Sequence, residues 1–334
     1  MSDKVYGSNK PRLLTPKTTY TFDYPEALEF ADRQNSVFCT HSEIEVEKDL
    51  QDIMVNMTEA ERHGVLTVLK LFTKYELLVG DEYWGGVIKK KFPRPDIAIM
   101  ADAFSYFETN VHARFYNKIN EVLHLNTDEF YNSYVEDETL KARVEFISAA
   151  LNDPDPLYSL AVFAMIEGAI LYSSFSFLKH FQSQGKNKLV QIVAGVDFSV
   201  RDENIHHEAG CWLFKTLLKE SRLTPEQQEA LYARIYEASQ ILREHEHRIN
   251  GMIFEKGTMD GITKIQSNNF VDSRIDLCLQ NLGLTAIMKP ASNPIGEWFY
   301  MGIAVAKMND FFSKVGNQYN RNWKEQNFIW ELPA

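Results

Sequence analysis

Cysteine is scarce in this chain: Cys39, Cys211 and Cys278 are the only three among 334 residues. Three thiols without C-x-x-C spacing cannot build a disulfide framework, which points to a reducing compartment. Glycine (16) and proline (11) are too few for a collagenous or low-complexity chain. Positive charge is short as well, since 35 Lys and Arg stand against 46 Asp and Glu, a formal net charge of -11. A general nucleic-acid binder needs the opposite balance; a small nucleotide handled by a partner is still compatible. The start, MSDKVYGSNKPR, lacks an apolar core, so no signal peptide is expected. The sequence also reads as lacking any apolar run near the ~18 residues of a membrane helix. These absences predict a cytoplasmic protein without a membrane span.

What is present is helical periodicity around one large apolar core. Hydrophobic residues make up 45% and charged residues 24%, an ordinary globular composition. Residues 1–20 read as a flexible arm broken by Gly7, Pro11 and Pro16. A helix is expected over 58–83, opened by Thr58 and Glu61 at capping-box spacing and continued by Val65, Leu66, Leu69, Phe72 and Tyr75. Further helices are expected over 97–125, 139–151, 157–182, 189–219 and from the Thr224-Pro225-Glu226 cap to about 254, then near 270–290 and 294–315. The stretch 157–182 is so apolar that it should be buried on every side. No alternating strand pattern and no Gly-rich phosphate loop occur, so the fold class is all-α. Residues 21–315 read as one helical domain. Residues 316–334 are polar with spaced aromatics, Tyr319, Trp323, Phe328 and Trp330, and read as a docking tail.

Acidic residues inside apolar helices are the anomaly. A buried carboxylate costs several kcal/mol unless it is paired or metal-bound. Glu76, Glu108, Glu167 and Glu203 all sit in such helices. Glu108 and His112 are at i, i+4, and Glu203 and His206 at i, i+3, which places each pair on one helical face. The order is a lone Glu, a Glu-His pair, a lone Glu and a second Glu-His pair. Glu76 and Glu108 lie 32 residues apart, Glu167 and Glu203 lie 36 apart, and the pattern reads as a duplicated helix pair. Four carboxylates and two imidazoles form a ligand set for two first-row metals in a helical bundle, iron or manganese before calcium. The competing reading is a buried hydrogen-bond network. Glu121 and His124 sit roughly 220–240° around from Glu108 and face away. Glu244, His245, Glu246 and His247 have polar neighbours and read as a solvated face.

The segments YPEALEFADRQNSVF, FETNVHARFY, MIEGAILYSSFSF, VRDENIHHEAG and NPIGEWF carry a resemblance that covers the chain from about residue 24 onward. The chain resembles the small (beta) subunit of class I ribonucleotide reductase, in the compact form also seen in phage-encoded members. The resemblance implies a ferritin-like bundle, a homodimer, and a radical-generating role in ribonucleoside-diphosphate reductase, with di- versus triphosphate left open. It implies two iron ions per chain, with dimanganese or mixed manganese–iron as alternatives, activated by oxygen or superoxide. Carried over residue by residue, the metal ligands are Glu76, Glu108, His112, Glu167, Glu203 and His206. Tyr116 takes the radical position, in a pocket lined by Leu171, Phe175 and an unusual polar Ser199. Asp202 takes the place of the relay residue that hydrogen-bonds a ligand histidine. Tyr319 or Trp323 would be the redox-active residue of a tail that docks on the large subunit.

Three departures from the family pattern stand out. The first pair is Glu-x-x-x-His where the family has Glu-x-x-His, and the extra residue suggests a π-bulge. The first ligand fits Glu76 better than Asp81 or Glu82, although Gly80 leaves the register open. The family's Phe-Trp near the N-terminus is Phe38-Cys39 here.

Overall fold

In the computed structural model, residues 10–37 and 39–300 are described. Tyr319, Trp323 and Phe38 therefore lie outside the described residues, as does the expected tail. Among the described residues there is no β-strand, only an isolated bridge between Met259 and Ile262. The helices that matter below are α1 (Pro25–Ser36), α2 (Glu59–Leu77), α3 (Pro95–Tyr106), α4 (Ala113–Val122), α5 (Asp128–Glu136) and α6 (Glu138–Leu151). They continue with α7 (Pro156–Met165), α8 (Tyr172–Lys179), α9 (Val190–Ser221), α10 (Pro225–Ile253) and α11 (Lys264–Asn281).

Local chemistry sets the ends of these helices. Thr58 Oγ1 accepts from the Glu61 N–H while Glu61 Oε2 accepts from the Thr58 N–H, the capping box that the sequence signalled. Thr224 and Gln227 repeat the arrangement on α10. The helix expected near 270–290 starts earlier, because Thr263 and Gln266 form a third such box. It ends at Asn281, followed by Gly283 at φ 89°, a backbone conformation that favours glycine.

Long expected helices are interrupted by wider turns. α2 runs into a π segment, Leu78–Ile88, and so extends past residue 83. α3 and α4 are joined by a π segment, Phe107–His112, and α7 and α8 are joined through Ile166–Ile170. The extra residue between Glu108 and His112 is thus absorbed by a π turn, as the spacing suggested.

The core sits where α7–α8 is enclosed by α9, α10, α11 and α2. The helical run Pro156–Gln182 is 27 residues long and contains an 18-residue stretch of mean hydropathy 1.6, so it does reach membrane length, contrary to the sequence reading. Its most apolar stretch is wholly buried inside the fold, which accounts for the composition without a bilayer. α1 packs along α3, and α3 packs on the π segment after α2. Of the arm, the described part lies against the body. Leu13 and Leu14 are buried, the Leu13 N–H donates to Glu220 (2.8 Å), and Arg94 donates to the carbonyls of Arg12 and Thr15.

Candidate metal centre

Four helical runs converge on one buried point. Glu76 comes from the last turn of α2, Glu108 and His112 from the π segment between α3 and α4, Glu167 from the π segment between α7 and α8, and Glu203 and His206 from α9. None of the six is more than 3% exposed. Their ligating atoms fall into two groups, Glu76, Glu108, His112 and Glu203, and Glu108, Glu167, Glu203 and His206, with the atoms of each group within 4.8 Å of one another. Glu108 and Glu203 belong to both groups. Asp81 and Glu82 are exposed, and Glu76 is the carboxylate that lies in the buried cluster.

The two histidines are set alike. His112 turns Nδ1 inward, 3.0 Å from Glu108, 3.6 Å from Glu203 and 3.8 Å from Glu76. Its Nε2 meets Asp202 Oδ2 at 3.1 Å. His206 turns Nδ1 inward, 2.7 Å from Glu108 and 3.5 Å from Glu203, and its Nε2 meets Gln34 Oε1 at 3.2 Å. Each ring is thereby held in a fixed orientation by an outer partner, as metal-binding imidazoles require. Asp202 also faces Arg201 Nε at 3.4 Å.

The electrostatics are those of a charge cluster short of cations. Burial and the Glu108 charge push the Glu76 carboxyl well up; burial and Glu203 do the same to Glu167. Burial would lower His206, but the Glu108 and Glu203 carboxylates 2.7 and 3.5 Å from its Nδ1 raise it to about 9. His112 is likewise raised well above the ordinary value by Glu108 and Asp202 against the effect of burial. Glu76 Oε1, Glu108 Oε1, Glu167 Oε2, both oxygens of Glu203 and His206 Nδ1 have no hydrogen-bond partner although they are buried. Orphaned polar atoms this numerous, on residues that form two such groups, fit a pair of divalent metals.

Tyr116 lies on the same side, one turn past His112, and is 2% exposed. Its O–H donates to Ser199 Oγ at 3.1 Å. The ring stacks on Phe72 with centroids 4.2 Å apart, and Phe72 stacks in turn on Phe175 at 5.6 Å. Leu171 is buried nearby in sequence, on the turn between the π segment and α8. Cys39 is buried with Phe107, Val111 and Phe198. Burial and the Asp202 charge push its thiol up to about 11.

Three contributors were not anticipated. Gln34 reaches His206 from α1, and Trp84 donates its indole N–H to Glu167 Oε1 at 2.8 Å from the π segment after α2. Phe72 forms one face of the tyrosine pocket. The 244–247 cluster requires a correction. Glu121 and His124 are exposed as expected, but His245 and Glu246 are buried. Glu246 pairs with the buried Arg143 at 2.8 Å and accepts from Ser173 at 2.7 Å. Glu246 lies on the inward stripe of α10 with Leu242, Ile249 and Ile253, so the polar neighbours in sequence misplace it.

The profile of the family described as ribonucleotide reductase, small chain, matches residues 16–294. The chain belongs to that family. It is the class I small subunit, whose part in the enzyme is to generate the radical for nucleotide reduction. Among curated relatives, a probable ribonucleoside-diphosphate reductase small subunit of Invertebrate iridescent virus 3 is 23% identical, over 94% of this chain and 88% of the relative. The ribonucleoside-diphosphate reductase subunit beta of Chlamydia pneumoniae is 26% identical over 80% of each. Among solved structures, the dimanganese(II) NrdF of Streptococcus sanguinis aligns with a TM-score of 0.73 at 19% identity, covering 84% of this chain and 98% of that one. A putative class I ribonucleotide reductase from Bacillus halodurans aligns with a TM-score of 0.74 at 20% identity, covering 83% and 99%. The likeness establishes a ferritin-like fold, and the buried carboxylate–histidine cluster a di-metal site.

Proposed function

We propose that this chain stores a one-electron oxidising equivalent on Tyr116 and delivers it to a large subunit that reduces ribonucleoside diphosphates. The observation that carries the reading is the double carboxylate–imidazole cluster, sharing Glu108 and Glu203, with a buried phenol one turn beyond His112. Glu76 and His112 would hold one metal, Glu167 and His206 the other, with Glu108 and Glu203 between them. When bound, a pair of iron ions, or of manganese, or one of each, supplies the oxidising power after reaction with oxygen or superoxide.

The protein's own groups do the rest. Phe72 and Phe175 keep water from the phenol. Oxidised Tyr116 gives up one electron and its phenolic proton. That proton would pass toward Glu76, the carboxylate whose charge acts on Tyr116 most strongly after burial. The His112–Asp202 hydrogen bond is the first leg outward, and Cys39 stands where the family has a tryptophan. Residues 316–334 dock on the large subunit, two copies of the chain pair, and the enzyme works in the cytoplasm.

Electron paramagnetic resonance of the chain loaded with ferrous iron and exposed to oxygen tests this. A tyrosyl signal that disappears in Tyr116→Phe is expected. Two bound metals without such a signal would move the stored equivalent off Tyr116.

A further inference from the structure

A hydroxyl sits against the phenol, beside an aromatic wall. Tyr116 and Ser199 are 2% and 1% exposed, and the O–H to Oγ distance is 3.1 Å. Phe72 and Phe175 form the stacked aromatic wall and can offer the phenol oxygen no conventional hydrogen bond. Ser199 lies one turn before Glu203 on α9, so the helix that brings a shared carboxylate to the centre also fixes this hydroxyl.

We infer that Ser199 is the positioning residue of the radical and keeps a hydrogen bond to the Tyr116 oxygen in both of its states. A serine hydroxyl is donor and acceptor at once and turns freely about its C–O bond. While the phenol is intact, Ser199 accepts from it. Once the phenol has lost its hydrogen, the phenoxyl oxygen is acceptor only, and the serine O–H turns to donate. No charge has to enter a dry pocket for this exchange, and no second side chain has to move. The bond draws spin density off the phenoxyl oxygen and holds the ring in one orientation.

The inference rests on Tyr116 carrying the radical, and the test separates the two. The full chain is loaded with ferrous iron and oxygen in light and heavy water, as wild type, Ser199→Ala and Ser199→Thr. High-field resonance reads the largest g-value, and electron–nuclear double resonance reads exchangeable deuterium. Expected is a tyrosyl radical with one exchangeable deuteron coupled to its oxygen. Ser199→Ala should lose that coupling and raise the largest g-value, while Ser199→Thr keeps both near wild type. A wild-type tyrosyl radical without exchangeable coupling overturns the role of Ser199 and leaves Tyr116 as the radical site, even if a variant fails to fold. Absence of any tyrosyl radical from metal-loaded protein overturns both.

Discussion

Gly80 shows how little space surrounds the centre. A Cβ added there would lie 2.5 Å from Glu108 Cβ and 2.9 Å from Thr109 Cγ2. Glu108 is one of the two carboxylates common to both ligand groups, so any shift of it is felt on both sides of the centre. Gly80→Ala should lower bound metal below two per chain in elemental analysis. Overpacking of this kind costs about 1–3 kcal/mol, so the helical circular dichroism should persist with a lower melting temperature. Full metal occupancy would show that the backbone can yield at this contact. The residues readable from sequence were the lone carboxylates in apolar helices, Glu76 and Glu167, and those whose spacing is local: Glu108 with His112, Glu203 with His206, and Tyr116 one turn further. Gln34 and Trp84 were not, because each reaches its partner, His206 or Glu167, from a distant helix. A glutamine or an indole in an ordinary helix carries no spacing that marks such a contact.

At the level of elements, a second buried polar cluster ties the bundle together away from the metals. Arg143 of α6 pairs with Glu246 of α10, Ser173 of α8 donates to Glu246, and the guanidinium lies 4.5 Å from the ring centre of Tyr75 on α2. Arg143→Met alone strands Glu246 as a buried, unpaired charge and should cost about 3–5 kcal/mol in denaturant unfolding. Joining it with Glu246→Leu should recover most of the loss, since two apolar groups need no partner. A double variant as unstable as the single would show that the charges themselves hold the helices in register. Helix starts were legible for the same reason that these pairs are costly: polar groups must be satisfied, and Thr58 with Glu61 satisfies them within one turn. The π segments were mostly not legible. Only the one at Phe107–His112 disturbs a recognisable ligand spacing, whereas those at Leu78–Ile88 and Ile166–Ile170 interrupt apolar runs with no fixed period to violate.

Across the whole molecule, the proposed radical must leave a centre whose six proposed ligands are at most 3% exposed. The chain therefore needs a partner that reads the oxidation state from outside. Removal of residues 316–334 should abolish nucleotide reduction with the large subunit, while metal content and the tyrosyl signal stay as in the full chain. Undiminished turnover by the truncated protein would place docking elsewhere on the surface. The enclosed helix run Pro156–Gln182 has a further consequence, for the birth of the protein. Three of its walls, α9, α10 and α11, follow it in the sequence, and α11 ends about a hundred residues later, at Asn281. At the usual synthesis rate the ribosome needs roughly 5–20 s to supply them. For that interval the nascent chain displays an apolar stretch that by length and composition matches a membrane segment. Efficient production thus depends on who meets the growing chain first, a constraint that acts before any metal is bound.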